Sequence, residues 1–215
     1  DYKDVQIPGS VGCVINGLPS FCGVTTNAAK ADFKGVEAET VAQLARDFAG
    51  AGSAITFTGT LGYIDGQFKS YIVNGVDISA LRRIQNTPKW TLSGTLGAVV
   101  PAGGGLVNAS AGVSYRSKTN QFELPSPYLD QKGYALFDAN LVWTDSSERY
   151  SIGIHGKNLF DKEYITSGYQ FIATAPDGTP TMVNGRVVPT LGKEGVVTAF
   201  YGNPRRVFVT LGLKY

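Results

Sequence analysis

At 215 residues, with a net charge of +2 and a single histidine, the chain is long enough for one domain or for part of a larger protein. The net charge is uninformative by itself, and no basic stripe or RNA-type aromatic motif argues for a nucleic-acid binder. Plentiful glycine (27) and tyrosine (11) beside one methionine suit half-polar strands and turns better than helices.

The start at Asp1 has neither a methionine nor the basic and apolar regions of a signal peptide, so the sequence is expected to belong inside a longer product. The first landmark is the pair Cys13 and Cys22, with eight residues between them in a stretch rich in Gly, Pro and Asn. In an oxidising compartment they are expected to close a small disulfide loop. Two free thiols are the alternative, and no further Cys or His lies near enough to make a metal site.

From Asp32 onward, alternating segments and short or polar connections follow one another, which predicts a meander of antiparallel strands. The first segment sets Val36, Ala38, Thr40, Ala42 and Leu44 against Glu37, Glu39 and Gln43, and the second sets Ile55, Phe57, Gly59, Leu61 and Tyr63 against Thr56, Thr58 and Thr60. After a long polar link, Trp90, Leu92, Leu96, Ala98 and Val100 oppose Thr91, Ser93 and Thr95. Val107, Ala109, Ala111, Val113 and Tyr115 then oppose Asn108, Ser110, Ser114 and Arg116. The uncharged run from Thr91 to Tyr115 has the length of a membrane helix, but Pro101 and the glycines at 103 to 105 make it a hairpin. Next, Ala135, Phe137, Ala139, Leu141 and Trp143 oppose Asp138 and Asn140, and Tyr150, Ile152 and Ile154 oppose Ser151, His155 and Lys157. A less regular segment runs from Glu163 to about Thr174.

The terminal strand, Arg206 to Tyr215, alternates Val207, Val209, Leu211, Leu213 and Tyr215 with Arg206, Phe208, Thr210, Gly212 and Lys214. About ten residues rising ~3.3 Å each and tilted by ~40° cover ~25 Å, the height of the lipid-facing band of an outer-membrane barrel. In a soluble sandwich the same alternation would meet a core. Two features favour lipid. The second face is built of Thr, Ser, Asn, Asp and Glu, and aromatic residues sit at strand ends (Tyr63, Trp90, Tyr115, Trp143, Tyr150, Tyr215) as in the girdles of membrane barrels.

Several stretches together carry a family pattern. Lys157 to Tyr164 (KNLFDKEY), then Tyr201 to Arg205 (YGNPR) and the terminal strand closely resemble the C-terminal signature of TonB-dependent outer-membrane receptors. Tyr2 to Gln6, Asn27 to Glu39, Pro88 to Leu92, Tyr115 to Ser117 and Tyr134 to Asn140 fall in the order that family shows. The resemblance implies an all-β chain forming about eight to nine C-terminal strands of a 22-stranded transmembrane β-barrel with a plugged lumen. Residues 1–215 would then be the C-terminal portion of the receptor barrel, with the plug domain and the first strands absent. The implied function is import of a scarce ligand, a ferric siderophore or similar, at the outer membrane with energy delivered by TonB. A passive porin or a small structural barrel is the alternative.

The same resemblance implies the partners: outer-membrane lipid, the protein's own plug, TonB through the absent N-terminal region, the barrel-assembly machinery and a small-molecule ligand. It makes Val209, Leu211, Leu213 and Tyr215 the assembly signal, and Asn158, Leu159, Phe160 and Asp161 a tight periplasmic turn. The loop from Ala175 to Asn203 becomes extracellular, with Arg186 and Lys193 suited to an anionic ligand and Tyr169 and Tyr201 to a sugar. No Walker loop, GxGxxG, GxSxG or plausible triad occurs, so no enzyme, metal or cofactor is expected. His155 is read as a structural lumen residue, and Glu37 and Glu39 as lumenal charges.

Overall fold

Alternation of side chains along each segment becomes a nine-stranded antiparallel sheet in the computed structural model. The structure describes residues 2–73, 75–190 and 195–214, with the side chains at 7–13, 19–21, 24, 26 and 28 outside the description. In sheet order the strands are β1 (Tyr2–Ile15), β2 (Leu18–Arg46), β3 (Ala54–Val73), β5 (Trp90–Ala102), β6 (Gly105–Arg116), β7 (Tyr134–Asp145), β8 (Tyr150–Lys157) and β13 (Arg206–Leu213), with the short β4 (Val76–Asp77) paired to the end of β3. Two further ribbons stand apart from this sheet. β9 (Ile165–Gln170) pairs with β12 (Val197–Tyr201), and β10 (Met182–Val183) with β11 (Arg186–Val187).

The register puts the anticipated apolar faces on one side. Phe57 pairs with Leu96, Leu96 with Ala111, Ala111 with Ala139, Ala139 with Gly156 and Gly156 with Val207. One step along, Ile55, Ala98, Ala109, Leu141, Ile154 and Val209 form a second unbroken row. A one-residue slip anywhere would turn a strand's whole apolar set to the opposite face. This face is bare, with Leu211 80% and Ile154 53% exposed. Toward one end of the sheet it carries Tyr63, Trp90 and Tyr115, the first two with ring centroids 4.6 Å apart; toward the other it carries Trp143 and Tyr150.

The two ends of the sheet differ. Tight connections close one end: 47–53 between β2 and β3, Gly103 and Gly104 between β5 and β6, and 146–149 between β7 and β8. There the Asp145 carboxylate accepts from the Tyr150 amide at 2.6 Å, and the Lys214 amide donates to the Arg149 carbonyl at 2.9 Å. At the opposite end lie the long segments 74–89, 117–133 and 158–205, together with the Asn16–Gly17 turn that joins β1 to β2. That turn has φ of 53° and 79° at its two residues, the left-handed pair that an Asn-Gly hairpin supplies at little cost.

The strands at the β1 edge run further than their alternation anticipated. β2 reaches 29 residues and β3 reaches 20, so both continue past Trp90, where β5 begins, and β1 pairs only with this projecting part. Buried apolar residues are found at the long-connection end: Ala29 and Ala31 on β2, Tyr71 on β3, and Leu129 and Ile172 in the connections are each under 9% exposed. Among the described residues no helix is long and apolar enough to cross a membrane, which says nothing of crossing by strands.

Candidate functional site: a clasped loop pad above a polar wall

On the polar face, short side chains bond between neighbouring strands, and these bonds involve six strands. Thr60 and Ser93 hydroxyls lie 2.7 Å apart, and the Asn140 amide donates to the Ser110 hydroxyl at 3.1 Å. His155 joins this ladder through Nδ1, 3.0 Å from Asn140 Oδ1, and through Nε2, 2.9 Å from Thr210 Oγ1, while Phe208 stacks on its ring at 4.8 Å. Lys157 Nζ donates to Asp138 Oδ2 at 2.8 Å. His155 thus has both ring nitrogens engaged in cross-strand bonds, which suits a wall residue. Glu37 and Glu39 share this face with Thr60, to which Glu39 is paired. Among the described residues no group of three or more His, Cys, Asp or Glu is placed to hold a metal.

Asn158 to Asp161 close a tight turn, with the Asp161 amide donating to the Asn158 carbonyl at 2.8 Å, but that turn does not join β8 to the strand beside it. The free edge of β8 is taken by β13, with Lys157 paired to Arg206 and Tyr150 to Leu213. The chain leaving Lys157 therefore cannot fold back along β8, and it opens the long 158–205 segment at the end opposite the short connections. The segment from Glu163 likewise supplies β9 to a separate ribbon and no strand to the wall.

What the motif builds is a clasp between the two roots of that segment. Asn158, 5% exposed, accepts through Oδ1 from the Lys162 amide at 2.8 Å, and its Nδ2 donates to the Lys162 carbonyl at 3.0 Å and the Asn203 carbonyl at 3.1 Å. Its amide donates to Asp138 Oδ1 at 2.9 Å. Asp161 Oδ1 accepts from the Arg205 amide at 2.7 Å, and both residues hold positive φ, 48° and 52°, which Asn and Asp tolerate best among non-glycine residues. The Leu159 amide donates to the Phe137 carbonyl at 2.8 Å. Phe160, 73% exposed, lies edge-on to Phe137 at 4.9 Å on the apolar face. Tyr164 stacks on Tyr134 at 4.6 Å, and a Cβ at Gly202 would lie 1.9 Å from its ring, so only glycine fits in YGNPR.

Above the clasp, three connections pack into one pad. Gln131 Oε1 accepts from the Ile165 amide at 2.7 Å, and the Ser126 hydroxyl donates to Gln170 Oε1 at 2.5 Å. Arg83 and Asn86 amides donate to the Glu123 and Asn120 carbonyls at 2.7 and 2.9 Å. Arg82 spans all three: Nη1 donates to the Pro176 carbonyl at 3.0 Å, the guanidinium lies 5.4 Å from the Tyr71 ring centroid, and its charge acts on Glu123. Burial pushes the Glu123 carboxyl above its ordinary range, against the pull of Arg82. Backbone donation from Thr179 holds Asp177 low.

The residues expected to meet a ligand are spread over this pad. Tyr169 on β9 is 56% exposed and packs edge-on to Phe200 at 5.7 Å; Tyr201, 60% exposed, pairs with Ile165 across a bulge and does not join that cluster. Arg186 sits on the β10–β11 hairpin, paired with Val183. Lys193 lies outside the described residues, as do Tyr215 and the side chain of Cys13. Cys22 is not a free thiol. Sequence reasoning missed Arg82, Gln131 and Ser126, which lie in polar segments without any period to mark them.

A bare apolar face between two aromatic rows, a hydroxyl-rich face behind it, and short connections opposite long ones define the wall of a transmembrane-type β-barrel. The family model for TonB dependent receptor-like beta-barrels matches residues 1–159, and the chain belongs to that family. Its fold is also similar to the crystal structure of the ferric yersiniabactin uptake receptor FyuA from Yersinia pestis. The TM-score is 0.62 at 21% identity, over 89% of this chain and 25% of that one. The chain thus spans about a quarter of that receptor's length.

Proposed function

We propose that this chain is part of the barrel wall of an outer-membrane active transporter, which binds a scarce ligand at the long-connection end and imports it with energy delivered by TonB through a plug. The observation that carries the reading is the family's wall in this sequence, apolar outside and hydroxyl-lined inside, with its loops held in an ordered pad. By the rule that barrels of this kind have short periplasmic turns and long outer loops, the pad faces the cell exterior and the 146–149 turn the periplasm.

The open sheet supports the need for further strands, since each backbone group left unpaired in hydrocarbon costs several kcal/mol. The polar face would then meet the plug or pore water. The ligand is proposed to be a ferric siderophore or a similar anionic chelate, with Tyr169, Arg186, Lys193 and Tyr201 among its contacts. Cys13 and Cys22 are proposed to pair in the periplasm-exposed history of the chain, and Val209, Leu211, Leu213 and Tyr215 to present the assembly signal.

The test is iron-siderophore uptake by cells carrying the full-length gene, with and without TonB. Uptake that requires both the gene and TonB is expected. Uptake that persists unchanged without TonB would make the protein a passive pore.

A further inference from the structure

Beyond the row of rings that ends the apolar face, that same face becomes charged. The pairing of β2 with β3 runs without a shift from Ala31 and Phe68 to Gln43 and Thr56, so alternation carries both faces unbroken past Tyr63. The polar face continues from Glu39 and Glu37 to Phe33, which is paired with Gly66, where a Cβ would lie 2.7 Å from the Phe33 ring. The outer face continues from Val36, paired with Tyr63, to Lys34, paired with Asp65, and then to Asp32, paired with Gln67.

Two more lysines reach this outer column. Lys89, next to Trp90, has Nζ 2.6 Å from Asp65 Oδ1, and Lys69 has Nζ 3.2 Å from Asp32 Oδ2; the two lysine side chains are 62% and 47% exposed. Lys34 is exposed and has no ion pair or side-chain hydrogen bond among the described residues. Three lysines thus share two carboxylates, and each ammonium has three donors, so the patch has cationic charge and donors to spare.

The height of the patch says what would meet it. Tyr63 and Trp90, with ring centroids 4.6 Å apart, belong to the aromatic row, and such rings lie at headgroup level. Lys34 is two residues past that row, ~7 Å along the strand. Beside and below the rings on the same face, Val36, Leu61 and Leu92 are 64%, 36% and 39% exposed.

We propose that Lys34 and Lys89, flanked by Lys69, bind the phosphate of a membrane lipid on the outside of the wall, with its acyl chains over Val36, Leu61 and Leu92. A phosphate group carries acceptor oxygens for several charge-assisted bonds at once, and lysines at the surface of an anionic membrane are attracted to it. The assignment rests on the barrel-wall reading above, because it needs the apolar face to be in lipid.

The experiment uses the full-length protein in nanodiscs of phosphatidylcholine with and without phosphatidic acid, counting retained lipids by native mass spectrometry. The wild type is expected to retain phosphatidic acid over phosphatidylcholine. Lys34→Gln, which breaks no ion pair, is expected to lower that preference roughly fivefold with its heat-modifiable gel shift intact, and the pair Lys34→Glu, Lys89→Gln should abolish it. Asp65→Asn, which releases Lys89 and leaves one more positive charge on the patch, should raise the preference, an effect that a purely structural role for these residues would not give. Equal retention in wild type and all variants, with normal insertion, overturns the site and leaves the wall standing. Displacement of phosphatidic acid by glycerol phosphate as effectively as by the whole lipid means that a soluble anion is the occupant and overturns the lipid assignment. A full-length protein that stays monodisperse without detergent or lipid overturns the wall reading and the site together.

Discussion

Arg82 offers the sharpest test of the pad, because one side chain ties the 75–89 segment to both of the other connections. Arg82→Ala removes the bond to the Pro176 carbonyl (3.0 Å) and the contact with the Tyr71 ring (5.4 Å). The bond is solvent-exposed, so about 1 kcal/mol is appropriate, and a cation over an aromatic ring at such a site adds about 0.5–1 kcal/mol. A combined ~1.5–2 kcal/mol corresponds to roughly 10–30-fold faster local opening. The assay is native-state hydrogen exchange on the full-length protein in nanodiscs, read at Ala175, Gly178 and Thr181, whose amides donate to Thr179, Ala175 and Ala173 carbonyls. Exchange at Ile152, Ile154 and Leu211 in the wall should not change. Arg82→Lys, which keeps the charge but loses the planar fork, should fall between the two. Unchanged exchange at 175–181, or an equal acceleration in the wall, would refute the argument that Arg82 holds the pad as one body.

Three further outcomes follow from the same geometry. Leu211→Arg, on the bare apolar face, should cost about 2–4 kcal/mol if that face meets the bilayer midplane and should cut the yield of heat-modifiable barrel, while Thr210→Arg on the polar face should insert nearly normally. Gly178→Ala should loosen the pad: its φ is +91° and a Cβ would lie 2.1 Å from the Pro125 carbonyl oxygen, so proteolysis near 125 and 178 should speed up while β-sheet circular dichroism holds. Glu123 binds its proton more tightly folded than unfolded because of burial, so its favourable contribution is complete below the unfolded carboxyl range and is lost as pH rises through the folded value. Glu123→Gln should therefore make pad exchange less dependent on pH across the range above about pH 4, which the same exchange experiment reads.

Much of the wall was legible because a half-buried strand writes its two faces into alternate residues. Ile55, Ala98, Leu141, Ile154 and Val209 share a row in space as their alternation required, and Trp90 and Tyr150 end their faces as girdle residues should. The terminal pairing was not legible in the same way. Asn158 and Asp161 have turn chemistry that serves a hairpin and a loop root equally well, and nothing local tells Lys157 that its neighbour lies at Arg206. The pad was less visible still. Leu129 is fully buried within a polar segment of Gln, Ser, Pro and Lys, where no period distinguishes a core residue from a solvated one. Lys34, Lys69 and Lys89 converge on one patch only because β2, β3 and the start of β5 are neighbours in the sheet, which a linear reading of charge cannot reveal.

The clasp at Asn158, Asp161 and Gly202 has a consequence for how such a protein can change over time. By fastening residue 158 to 203 and residue 161 to 205, it separates the wall from everything between those roots: the alignment of β13 on β8 is fixed below the clasp and owes nothing to the length or sequence of the intervening chain. Closing a longer flexible segment costs only about 0.6 kcal/mol for each doubling of its length. The forty or so residues above the clasp are therefore free to be exchanged, lengthened or trimmed while the strands beneath keep their partners, so this segment can change without rebuilding the wall.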